Sequence, residues 1–135
     1  MPQLEQMAEK VGLLMNAEVE IQGSVCLIKQ IRSIRISAHS KQFNCMLEHD
    51  ISFTNLKKDG TAYNQAEIVL LPEELEDFIT ALHHHSIPVP INYQYRVDTN
   101  PNILCVYLSS QEAPEDFAIR LLAAFEVIQQ NSLVS

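Results

Sequence analysis

Twice in this chain a strand-like run meets a proline followed at once by acids: EIVLLPEELEDF at 67–78 and QEAPEDFAIRLLAAF at 111–125. Proline at a first helical position loses no hydrogen bond, and acids in the first turn complement the positive end of the helix dipole. These junctions fix two helix starts, at Pro72 and Pro114, and leave extended chain before each. Leu75, Phe78, Ile79 and Leu82 form the buried stripe of the first helix, with Glu73, Glu74, Glu76 and Asp77 as its dipole acids. Pro88 and Pro90 forbid continuation beyond Ser86.

Upstream, Leu4, Met7, Ala8, Val11, Leu14 and Met15 recur at three- and four-residue spacing, which predicts an amphipathic helix ending near Asn16. The period then changes. AEVEIQG alternates, Gly23 punctuates, and SVCLIKQIRSIRIS and FNCMLEHDISFTNL are rich in strand formers. KKDG before TAYNQAEIVLL marks a hairpin in which Asp59 and Gly60 take positive φ. In INYQYRV, Ile91, Tyr93, Tyr95 and Val97 alternate with polar residues, DTNPN turns the chain, and the apolar ILCVYL belongs in the middle of a sheet.

The expected fold is therefore α+β: a mainly antiparallel sheet with helices packed on one face, in a single domain spanning 1–135. Its second half reads β-α-β-β-α, resembling the split βαβ arrangement of ferredoxin-like folds.

Composition narrows the function. A formal charge of -8 and a pI near 5.0 repel phosphate backbones and anionic lipid, so neither nucleic acid nor membrane is an expected partner. The start lacks a basic leader, and no apolar run approaches the roughly 20 residues that span a bilayer, which points to a soluble cytoplasmic protein. Cys26, Cys45 and Cys105 are scattered through apolar stretches, the usage of small core residues in a reducing compartment. With three glycines and no G-x-S-x-G elbow, neither a phosphate loop nor a hydrolase nucleophile is expected, and no cofactor is.

Three groups of residues remain as candidates. His83, His84 and His85 are consecutive, so on a helix they point in three directions, and they read as imidazoles set against the carbonyl end of the helix. The functional alternative is a metal-assisted enzyme that joins them to Glu48, His49 and Asp50, of which only the two carboxylates share a strand face. Between Ile21 and Leu47 no acid occurs while Lys29, Arg32, Arg35, His39 and Lys41 accumulate, either an anion or partner contact or an edge strand kept soluble by bases. The last helix is apolar on nearly every side, and Ile119 and Val127 fall outside its main stripe. Such a helix is covered from more than one direction, by the first helix or by a second copy in a homo-oligomer.

The stretch EIVLLPEELEDFITAL, the Pro-containing link, PNILCVYL and EDFAIRLLAAF together resemble the repeat unit of the LppY/LpqO-like family of bacterial proteins, from Glu67 to Phe125. The resemblance implies the fold. Members of that family carry a histidine-containing H-N-H motif in the strand after the first of these helices, whereas here the strand reads INYQYRV. It therefore transfers no functional residue and no established activity. The reading as a whole is a non-catalytic interaction or small-ligand-binding domain, expected as a homodimer.

Overall fold

The computed structural model describes residues 2–38, 41–100 and 103–134, with side chains at 3–33, 41, 46–99 and 103–128. Helix α1 (Pro2–Met15) is followed by strands β1 (Glu18–Gln22), β2 (Val25–Ala38), β3 (Lys41–Thr54) and β4 (Ala62–Leu70). A 3-10 turn at Pro72–Glu74 leads into α2 (Leu75–His83), then come β5 (Gln94–Asn100), β6 (Ile103–Glu112) and α3 (Pro114–Val134). The strands make one six-stranded sheet in the order β1-β2-β3-β4-β6-β5, with every neighbour antiparallel.

Because β6 is antiparallel to both β4 and β5, those two run the same way, joined through α2 with β6 inserted between them. That is the split βαβ unit expected from the second half of the sequence.

Alternation along each strand gives the sheet two unlike faces. Cys26 and Ile28 of β2, Ile51 and Phe53 of β3, Ala66 and Ile68 of β4, and Val106 and Leu108 of β6 are buried and meet the helices. Leu4, Ala8, Val11 and Met15 of α1, Phe78 and Leu82 of α2, and Phe117, Leu121, Ala124 and Ile128 of α3 complete one core. Each fully buried aliphatic side chain of this kind contributes about 1.5–3 kcal/mol relative to exposure. α3 packs against both other helices as well as against β4 and β6. The apolar excess of α3 is thus covered largely within the chain, and Ile119 and Val127 stay half-buried.

Three local expectations are corrected. Of Asp59 and Gly60 at the β3–β4 turn, only Gly60 has positive φ, +89°. Asp59 acts instead through its carboxylate, which accepts from the Thr61 amide at 2.9 Å and from the Thr61 hydroxyl at 2.7 Å. Those two bonds hold the Asp59 carboxyl below its usual range. Asn55 is the second positive-φ residue of the loop, at 56°. Ile91, placed by alternation on a buried face, is fully exposed, because the Tyr93 amide bonds back to the Pro90 carbonyl and the strand starts only at Gln94. Glu74 is not a solvated dipole acid but is buried, at 5% exposure.

Candidate functional site

The helix-free face of the sheet carries a groove of about 580 Å³. Its centre follows from register alone. Glu18 pairs with Lys29, Lys29 with Asp50, Asp50 with Glu67, Glu67 with Tyr107, and Tyr107 with Arg96, so one row of side chains crosses all six strands. A parallel row runs Leu27, Ser52, Gln65, Ser109 and Gln94. From Lys29 to Arg96 and from Leu27 to Gln94, both rows line the groove together with Tyr63.

Opposed residues of an antiparallel pair hold their Cβ atoms about 4.5–5.5 Å apart, so Asp50 and Glu67 sit side by side as like charges. Among the described residues neither accepts a hydrogen bond nor closes an ion pair, and Lys29 leans to Glu48 at 3.8 Å. The Arg96 guanidinium lies 4.3 Å from the centre of the Tyr107 ring. Glu67, beside the Tyr107 hydroxyl, pushes that group above the usual phenol range, more than Arg96 opposes it.

The opposite face holds a second, sealed polar cluster. Arg32 and Glu74 meet through two hydrogen bonds, Nη1 to Oε1 at 2.7 Å and Nη2 to Oε2. Glu74 Oε1 also accepts from the Leu71 amide at 2.9 Å, which fixes the start of the helical turn. Where the β3–β4 ladder ends at Asp50 and Glu67, the His49 ring continues it, its Nδ1 accepting from the Val69 amide at 3.1 Å. His49 is 1% exposed and stacks on Phe125 at 5.0 Å between ring centres. Burial, reinforced by Arg32 and opposed by Glu74, lowers its pKa to about 4. The ring is therefore neutral, with its lone pair at Nδ1 engaged by the Val69 amide and its Nε2–H buried without a partner among the described residues, so His49 does not act as a base. Arg32 and His49 border a cavity of about 310 Å³ under α3.

The candidate residues are dispersed rather than gathered. Lys29 lies at the groove, and Arg32 lies on the other face, already paired to Glu74 and so not offered to an outside anion. Arg35 belongs to β2 with its side chain outside the described set, and His39 lies outside the described residues. His83 packs edge-on against Tyr93 and Tyr95, both at 5.5 Å between centres. His84 Nδ1 sits 3.1 Å from the Thr80 carbonyl, and His85 Nδ1 accepts from the Ile87 amide at 2.9 Å. Glu48 and Asp50 face away from the helices, His49 toward them, and none joins the histidine run. Among the described residues no three His, Cys, Asp or Glu side chains converge on a metal position. Burial raises the Cys26 thiol to about 11, far from a reactive thiolate.

Sequence reasoning did not single out Asp50 with Glu67 as a pair, nor Arg96, Tyr107 or Gln65. Their parity along each strand was readable, but which strands adjoin was not.

The sequence model of the family described as Domain of Unknown Function (DUF1259) matches residues 9–127, and the chain belongs to that family. The match takes in both halves of the chain, beginning well upstream of Glu67. No curated protein and no solved structure matches the chain.

Proposed function

We propose that this member of the family is a non-catalytic domain that binds a small molecule in the groove on the open face of its sheet. The observation that carries the reading is the pair of cross-strand rows, which set charged, amide, hydroxyl and aromatic side chains into a single cavity of about 580 Å³. Small-ligand sites fall in the range of about 300–1,000 Å³ and need a few convergent polar groups. The non-catalytic part is supported by the state of the nucleophiles and bases. Among the described residues no Ser, Thr or Cys side chain is hydrogen-bonded to a histidine, and the buried imidazole has no free lone pair.

The test is an amide NMR spectrum of the full chain titrated with mixtures of small-molecule fragments. Shifts gathered on β3, β4 and β6 around Asp50, Glu67 and Tyr107 are the expected result; hits only on the helical side, or none, would defeat the reading.

A homodimer through Ile119 and Val127 belongs to the same proposal, supported by the partial exposure both keep after α1 and α2 have packed on α3. Native mass spectrometry decides it: wild type should run at twice the mass of Ile119→Asp, and equal masses would remove this contact. No described helix is long and apolar enough to cross a membrane, and a cytoplasmic setting is the remaining part of the reading, supported by unpaired Cys26 and Cys105.

A further inference from the structure

Resting on the groove as the binding site, we propose that its ligand is a neutral polyhydroxylated molecule of sugar size. Its hydroxyls donate to Asp50 and Glu67 and accept from Lys29 and Arg96.

The first ground is the acid pair. Asp50 and Glu67 are direct register partners, an arrangement that destabilises a sheet when both are charged. Neither is relieved by a hydrogen bond or an ion pair among the described residues. Four carboxylate oxygens therefore stand side by side at the middle of the sheet, accessible from outside and with no protein donor among the described residues. Ligand groups that donate hydrogen bonds satisfy that demand.

The second ground is charge balance, which separates a neutral donor from a cation. The charged residues lining the groove are Lys29 and Arg96 against Asp50 and Glu67, so the lining sums to zero, and each cation also faces a carboxylate at the rim, Lys29 with Glu48 and Arg96 with Asp98, both at 3.8 Å. A bound ammonium ion would meet two cations in the same cleft, and an anion would meet two carboxylates. A metal ion would find two carboxylates and no third grouped ligand among the described residues. A hydroxyl both donates and accepts, and suits each charged position in turn without bringing charge.

The third ground is the neighbouring row. Ser52, Gln65, Ser109 and Gln94 are uncharged groups that donate and accept, the same dual chemistry, laid one strand spacing apart at about 4.8 Å. Tyr63 and Tyr107 add ring surface for the C–H faces that a polyol presents between its hydroxyls.

The experiment is an amide NMR titration of the full chain with glucose and myo-inositol, set beside putrescine, magnesium chloride and inorganic phosphate, and repeated with Asp50→Asn and Glu67→Gln. Both substitutions are at surface positions, keep side-chain shape and relieve the like-charge pair, so the fold should persist. At least one polyol should shift the groove amides saturably, and each substitution should weaken it about tenfold or more, the scale of a hydrogen bond to a charged group. Saturation by putrescine, magnesium or phosphate with no polyol effect overturns the ligand class and leaves the groove as a site. Polyol binding unchanged in both variants overturns the roles given to Asp50 and Glu67. Silence toward all five probes, with fragments still mapping to the groove in the earlier experiment, overturns the polyol class alone. Silence in both experiments overturns the groove itself.

Discussion

Arg32 and Glu74, 42 residues apart, form a two-point ion pair that is about nine-tenths buried and ties the β2–β3 hairpin to the start of α2. Desolvating both groups consumes much of their attraction, so the pair is weak evidence for net stability, whereas breaking it strands a charge. Arg32→Met should therefore cost about 3–5 kcal/mol. Arg32→Met with Glu74→Met should recover most of that, leaving about 1 kcal/mol for the lost acceptor of the Leu71 amide. Urea titrations of wild type, Arg32→Met, Glu74→Met and the double variant decide the matter, and additive losses in the double variant would show that the two residues do not act as a pair.

His49 makes stability depend on pH in a defined window. Its pKa falls from 6.5 to about 4 on folding, burial being the largest cause and Arg32 the next. Between those values the unfolded chain binds a proton that the folded chain refuses. Stability is therefore full above pH 6.5, is lost as pH falls toward 4, and changes no further from this group below that. A shift from 6.5 to about 4 corresponds to about 3 kcal/mol. Denaturant melts at pH 7, 5.5 and 4.5 should show the decline in wild type and a shallower one in His49→Phe, which keeps the ring stack on Phe125. Parallel profiles, or a His49 imidazole titrating near 6.5 by NMR, would contradict a buried neutral ring.

What was legible in the sequence follows a physical line. The helices at Pro72 and Pro114 were, since proline and acids act on their own first turn, and so was the alternation that sends His49 to one face and Glu48 and Asp50 to the other. Glu74 was misread because its neighbours are acids facing water and its partner Arg32 comes from the distant strand β2. Nothing local distinguishes a dipole acid from a buried one. Ile91 was misread for the opposite reason, a local turn at Pro90 overriding a good alternating pattern. The groove needed the strand order β3-β4-β6-β5, because Asp50, Glu67, Tyr107 and Arg96 are brought into one row by pairing between distant segments.

Arg120, at 1% exposure, gathers the chain where β6 hands over to α3: it donates to Glu112 and to the Pro88 carbonyl at 3.3 Å, while Ser110 donates to the same Glu112 carboxylate at 2.5 Å. Glu112→Ala should cost about 3–5 kcal/mol, because a guanidinium is left buried and uncompensated. Arg120→Met added to it should restore part of that loss in a thermal melt. A cost below 1 kcal/mol for Glu112→Ala would mean that Arg120 reaches water when released.

Tyr93 gives the reverse expectation. Its hydroxyl is sealed from solvent without a hydrogen-bond partner in the described structure, and burial pushes it up to about 12, so it stays protonated. A buried hydroxyl lacking a partner carries a desolvation cost of about 1–3 kcal/mol with nothing to offset it. The ring, by contrast, is used: His83 meets it edge-on at 5.5 Å and Tyr95 lies at 6.2 Å. Tyr93→Phe keeps both contacts and removes only the unsatisfied oxygen, so it should leave stability unchanged or raise it by up to about 1 kcal/mol. Tyr93→Ala, which also removes the ring contacts and opens space beside α2, should instead cost about 3 kcal/mol or more. A loss above 1 kcal/mol in Tyr93→Phe, measured by denaturant titration at pH 7, would show that the hydroxyl finds a partner in solution and that this corner of the core is polar by design.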